Sequence, residues 1–85
     1  MPHFFFDTSD GEHSFRDEEG MECCGAEAAR IAALNALPGM VRDVMPDGNR
    51  RDLTVNVRSE AGRSVFTVTL SLVAQWLDEG NALGP

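Results

Sequence analysis

The side chains with chemistry to offer crowd the first third of the chain. Cys23 and Cys24 stand side by side, His3 and His13 precede them, and Asp7, Asp10, Glu12, Asp17, Glu18 and Glu19 lie among them. Thiolate and imidazole together suggest zinc or copper, but a structural zinc site wants spaced pairs such as Cys-x-x-Cys, which adjacent cysteines do not supply. Neighbouring cysteines also cannot close a useful disulfide loop. The plainer reading is a pair of packing thiols. The carboxylates are hard oxygen ligands of the kind calcium takes. Their spacing is not that of a calcium loop, because Asp7 and Asp10 are three apart and Gly11 follows directly. General acid–base work needs a carboxyl whose burial shifts its pKa, and these acids fall in expected turns, in water. No Gly-x-Ser-x-Gly is present, and neither histidine has a partner pattern for activating a nucleophile. The expectation is a protein without catalytic residues, cofactor or metal.

Three other features point to contact rather than reaction. Arg30 lies near the inward side of the expected helix, where it would reach a carboxylate of the acidic segment and tie that segment down. The run Phe4-Phe5-Phe6 and the lone Trp76 suit a partner-binding surface, since an unpaired edge strand carrying aromatics invites strand addition or dimerisation. The bland alternative puts Phe4 and Phe6 in the core and Phe5 under a loop or the tail. Asp17, Glu18 and Glu19 form the acidic patch to which a basic protein surface would be drawn.

Charge sharpens that point. The net charge of −7 is uneven: residues 1–27 carry eight acids against Arg16 alone, while the remainder balances six acids with six arginines. A phosphate backbone would be repelled by such a lobe, so direct nucleic-acid binding is not expected. With 85 residues, 42% of them hydrophobic and 25% charged, the chain reads as one globular domain over residues 1–85 with frayed last residues. A chain this short buries only roughly 60–65% of its unfolded surface, so a dimer that hides more would be natural. No basic and apolar leader opens it, and no apolar run approaches the ~20 residues that span a bilayer. The expected setting is a reduced cytoplasm, away from membranes.

The elements that must position these groups follow from periodicity. Ala26 to Met45 is the one stretch with helical spacing, placing Ala26, Ala29, Ala33, Leu37, Met40 and Val44 on one side with Leu34 and Val41 flanking. Gly25 is its N-cap, and Pro38-Gly39 predicts a kink or a break into two helices. Met45-Pro46-Asp47-Gly48-Asn49 ends it. Before it, His3 to Thr8 reads as a strand, Asp10-Gly11 as a turn, and Glu12 to Arg16 as a short strand with Phe15 inward. A second turn covers residues 17–20. After the helix, Leu53 to Arg58 and Val65 to Leu72 alternate strictly and are joined at Glu60-Ala61-Gly62-Arg63, the pattern of a β-hairpin. Its inward residues are Leu53, Val55 and Val57, then Phe66, Val68, Leu70 and Leu72. Val73 to Leu77 extends the strand or starts a short helix. The fold class is therefore α+β: an antiparallel sheet of three or four strands with one kinked helix on one face, in the order β(β)αββ.

Several blocks resemble a known family in order and spacing: MPHFFFDTSDG at the start, DEEG at 17–20, EAAR at 27–30, MPDGNRRDLTVNVRSEAGR at 45–63 and SVFTVTLSL at 64–72. It is the family of short bacterial proteins filed as a domain of unknown function. The resemblance implies a compact single-domain protein with no assigned activity and no catalytic residues to carry over. Where such proteins tend to have Leu-Pro and then Asp before the helix, this chain has Cys23-Cys24-Gly25, which suggests an apolar packing position for Cys23.

The function expected from all this is a small interaction or regulatory module, binding a protein partner or itself as a homodimer. Two alternatives stand beside it: an acidic inhibitor or nucleic-acid mimic that blocks a basic groove, and a small-ligand or metal-binding protein.

Overall fold

The structure, a computed structural model, describes residues 1–44 and 49–77. Its elements run β1 (His3–Ser9), β2 (Ser14–Phe15), β3 (Met21–Glu22), α1 (Ala26–Val44), β4 (Arg50–Ser59) and β5 (Ser64–Val73). The class is α+β, a single antiparallel sheet with one helix on one face. The sheet has five strands, because Met21 and Glu22 also pair with β1.

The centre of the sheet is β4. Its side-chain alternation is complete, with Arg51, Leu53, Val55 and Val57 buried and the residues between them half-buried. β1 lies on one side of it, from Phe4 opposite Ser59 to Ser9 opposite Thr54, and β5 on the other, from Arg50 opposite Val73 to Arg58 opposite Ser64. The two short strands share the far edge of β1: β3 meets His3 and Phe4, and β2 meets Thr8 and Ser9. The Ser59 amide donates to Arg63 O (2.8 Å) and the Gly62 amide to Ser59 O (2.9 Å), closing the β4–β5 turn where the alternation breaks. A register shift between Val57 and Arg58 makes Val65 the extra residue of a bulge.

The core is one cluster: Phe4, Cys23, Ala29, Ala33, Leu37, Leu53, Val55 and Val57. Ala29 and Ala33 lay the helix closely over β4, and each fully buried side chain beneath stabilises by about 1.5–3 kcal/mol. The Ala29 amide donates to Gly25 O (3.1 Å), so Gly25 caps the helix; Ala26, at the first position, is exposed.

Pro38 does not break the helix, which runs unbroken through Val44. Pro38 sits on the exposed side of the helix, away from the buried Ala29, Ala33 and Leu37. Phe15 is not inward but 69% exposed, because β2 lies two strands from β4, beyond the reach of the helix. Residues 74–77 are neither strand nor helix, although the Ala74 amide still donates to Asn49 O (2.7 Å). The expected helix stop from Met45 to Gly48 and the frayed tail lie outside the described residues. Among the described residues no helix is long and apolar enough to cross a membrane.

Candidate functional site

On the face of the sheet away from the helix, the acidic segment is knotted to the strands. Between the pairings of β3 and β2, the amide of Phe6 has no strand opposite it, and the Asp17 carboxylate takes that place: Oδ2 accepts from Phe6 N at 3.0 Å. Its Oδ1 accepts from Glu19 N and Gly20 N, each at 3.1 Å. Arg58, opposite Phe5 on β4, adds a second clasp. Its Nε donates to Asp7 Oδ2 (2.6 Å), and its Nη2 to Asp7 Oδ1 (3.1 Å) and to the Asp17 carbonyl (2.8 Å). Asp7 Oδ1 also accepts from Asp17 N at 2.9 Å. The guanidinium carbon lies 5.0 Å from the centre of the Phe5 ring, a cation–π contact.

These bonds set the titration. The Arg58 hydrogen bond holds the Asp7 carboxyl below its ordinary range against the upward pull of burial, and Asp7 in turn raises Arg58. For Asp17 burial pulls upward, but the amides of Phe6, Gly20 and Glu19 together outweigh it and leave the carboxyl lowered. Asp10 is lowered by the amides of His13 and Glu12, which its Oδ1 accepts at 2.7 and 2.9 Å. Carboxylates held ionised by backbone amides are poor proton donors and acceptors near neutrality. The knot is a structural clamp. Gly20 belongs to it: with φ of +74°, a Cβ there would lie 2.8 Å from the Phe4 carbonyl oxygen and 2.9 Å from Phe5 Cε2.

The residues singled out from the sequence therefore scatter. Phe4 is buried and Phe6 half-buried, and Phe5 lies under the 16–20 loop with Arg58 beside its ring. Strand β1 is interior, so the unpaired edge expected at the phenylalanine run is not there. Asp17 is committed to the clamp, while Glu18 and Glu19 are exposed. Trp76 is exposed and follows Val73, which pairs with Arg50, whereas Phe5 pairs with Arg58; the two aromatics sit at opposite ends of the sheet. Arg30 does not tether the acidic loop. Its Nη1 meets Glu27 Oε1 at 3.0 Å, one turn back on its own helix, and both side chains are largely exposed. The tethers are Arg58 and the buried Arg51, whose Nη1 reaches Glu12 Oε1 at 3.2 Å. Cys23 is in the core and Cys24 exposed. His3 Nε2 lies 2.9 Å from the Glu19 carbonyl oxygen, and His13 sits beyond the other end of β1 beside Asp10. Among the described residues no three His, Cys, Asp or Glu side chains converge as metal ligands do.

What the sequence reading missed is that β5, the second strand of the expected hairpin, is an open edge. It is an edge strand of ten residues, SVFTVTLSLV, without a charge, a proline or a glycine. Its helix-side residues, opposite the buried row of β4, are covered on one flank only, and Leu70 is 44% exposed. Between them and the end of α1 runs an apolar groove of about 330 Å³, lined by Val41, Val44, Leu53, Leu70 and Leu72, with Arg51 on its floor. The run of ten uncharged residues was the available signal.

Residues 3–71 match the model of the family described as a domain of unknown function, DUF6894. The chain belongs to the DUF6894 family. No curated protein and no solved structure matches it significantly. The DUF6894 span takes in Asp7, Asp17, Gly20 and Arg58 of the clamp and β5 as far as Ser71. Trp76 lies beyond it, so the clamp and the edge are family-region features in a way that the tryptophan is not.

Proposed function

We propose that this DUF6894 chain is a protein-interaction module that binds by strand addition along β5, and that it is not an enzyme. The carrying observation is the open edge itself: ten residues of uncharged strand beside a half-covered apolar groove. Natural edges are normally blunted by charge, proline, a bulge mid-strand or a covering loop. Here the one bulge is at the turn end, leaving the rest of the edge regular. The acidic lobe supports docking less well, because Asp7, Asp10 and Asp17 already accept internal hydrogen bonds. The free thiols suit a reducing compartment such as the cytoplasm.

Affinity purification from the native cells at low and high salt, with the wild type and Thr69→Pro, tests the reading. The Thr69 amide points away from β4, so proline there blocks addition without removing a bond of the β4–β5 ladder. A partner held at high salt by the wild type and lost by the variant is the expected result. A partner kept by Thr69→Pro, or released from the wild type by salt alone, refutes it.

A further inference from the structure

Strand addition needs a strand of suitable chemistry, and we propose, resting on the edge reading above, that it is β5 of a second copy, running antiparallel about a two-fold axis at Leu70. The phase of the backbone decides the axis. Because the Ala74 amide bonds to Asn49 O, alternate residues back along the strand (Leu72, Leu70, Val68, Phe66) direct their amides to β4. The amides and carbonyls of Thr67, Thr69, Ser71 and Val73 then face outward, and the bulge at Val65 ends the alternation. Two identical antiparallel strands pair symmetrically about a bonded residue or about the unbonded residue between two bonded ones. Only an axis at Leu70 brings all four into register: Thr69 with Ser71 and Thr67 with Val73. Moving it to Thr69 or Ser71 slides the strands by two positions and leaves Val73 or Thr67 without a bonded partner in the strand.

The side chains have the same symmetry. On the outer face Thr69 meets Ser71, hydroxyl to hydroxyl, and the exposed Val73 (63%) covers the methyl of Thr67. On the helix face the exposed Leu70 (44%) meets its own copy and Val68 falls opposite Leu72, so every pair is apolar. The helices of both copies lie on this face, and the apolar groove that each leaves open along β5 is roofed by the other. On the helix, Val41 lines that groove, and both it and Leu34 are half-buried and packed against the core. The same register carries the exposed Trp76 to the level of the 59–64 turn of the second copy.

Charge favours self over a charged partner. With a net charge of −7 two copies repel, but their acids concentrate on the β1 side of the sheet, and β5 carries no charge. Joining the β5 edges holds the two acidic lobes at the far ends. A strand edge of ten residues is ~33 Å long, and sheet plus helix layer are ~15–20 Å deep, giving roughly 1,000–1,300 Å² in total, enough for a specific dimer.

The test is the mass of the full chain in solution, by sedimentation equilibrium over a range of concentrations, together with cysteine placement in a Cys24→Ser background. The wild type is expected to be a dimer, and Thr69→Pro to weaken self-association roughly 100-fold or more while keeping its unfolding transition. Leu70→Cys should form a disulfide with its own copy on oxidation, since residues facing each other in a non-bonded pair lie ~4.5 Å apart. Val73→Cys should not, because its two copies are separated by six positions of strand. A wild-type dimer that Thr69→Pro leaves intact, or equal crosslinking at both positions, overturns the proposal. A wild-type monomer overturns it as well, and Thr69→Pro then says what remains: loss of a different captured protein preserves the edge reading, and unchanged capture removes that too. A monomer that becomes dimeric when the chain is ended at Leu77 would give the edge to the chain's own last residues.

Discussion

Replacing Asp17 with asparagine separates the two tasks of its carboxylate. The amide keeps an Oδ1 that accepts from Glu19 and Gly20, but it sets an NH₂ where Oδ2 accepted the amide of Phe6. That amide is part-buried and lies at the one stretch of β1 with no strand beside it, so it is left facing a second donor. Losing a hydrogen bond to a charged acceptor costs about 1.5–3 kcal/mol, and the repulsion between donors keeps the effect at the upper end, near 2–3 kcal/mol. Asp17→Ala frees the exposed Glu19 amide and the part-buried Gly20 amide as well. Water takes over the first and only in part the second, so the further loss is about 1–2 kcal/mol. Urea unfolding followed by circular dichroism measures both, and for a domain of this size each kcal/mol is a shift of about 4–8 °C in Tm. Acid adds a second readout. The carboxyl titrates lower in the folded chain than in the unfolded one, where it lies near about 3.9. Its stabilisation is therefore fully present above the unfolded value and is lost as pH falls through the folded one. The gap between wild type and Asp17→Asn should be constant above about pH 5 and shrink below about pH 4. A gap under about 0.5 kcal/mol at neutral pH, or one that does not narrow in acid, would refute the clamp.

Gly20→Ala should cost about 2–4 kcal/mol in the same unfolding assay, since the positive φ and the Phe4 carbonyl oxygen at 2.8 Å cannot both be relieved by moving a side chain. Arg30→Ala should stay within about 0.5 kcal/mol of wild type, the worth of an exposed pair one turn apart on a helix; a larger loss would restore a tethering role. Cys23→Ser places a hydroxyl in the core and should cost about 1–3 kcal/mol, whereas Cys24→Ser, on the surface, should be neutral to about 0.5 kcal/mol; thermal melts of the two side by side decide it.

The helix and the hairpin were legible because each carries its own periodicity. The row Leu53, Val55, Val57 alternates with polar residues, and Ala29, Ala33 and Leu37 repeat at helical intervals. What alternation cannot express is how far one helix reaches. Phe15 and Leu70 both sit at positions an alternating pattern would call inward, yet Phe15 lies on the far strand β2 and Leu70 on one that the helix covers only in part. Asp17 was read as a solvated turn acid because its neighbours in sequence are acids and glycine. Its decisive partners are Phe6, eleven residues away, and Arg58, forty-one away, and no local pattern announces them. Arg30 failed in the opposite sense: a long-range partner was sought where Glu27, three residues earlier on the same helix, was within reach.

The two sides of the sheet are finished by opposite means. Along β1, two short strands and the Asp17 carboxylate satisfy the outward backbone, and the acids of the segment are consumed in doing so. Along β5 nothing comparable is present among the described residues. A single lysine at Thr67, Thr69 or Ser71 would have blunted that edge at no cost in packing, because all three side chains stand on the exposed outer face. Instead the outer face carries hydroxyls, which leave a second strand free to approach, and the helix face carries aliphatic and aromatic groups that only a second layer can cover. Charge spent on one edge and withheld from the other supports the proposed joining at the second, and the pairing of β5 about Leu70 makes another β5 the strand that fits.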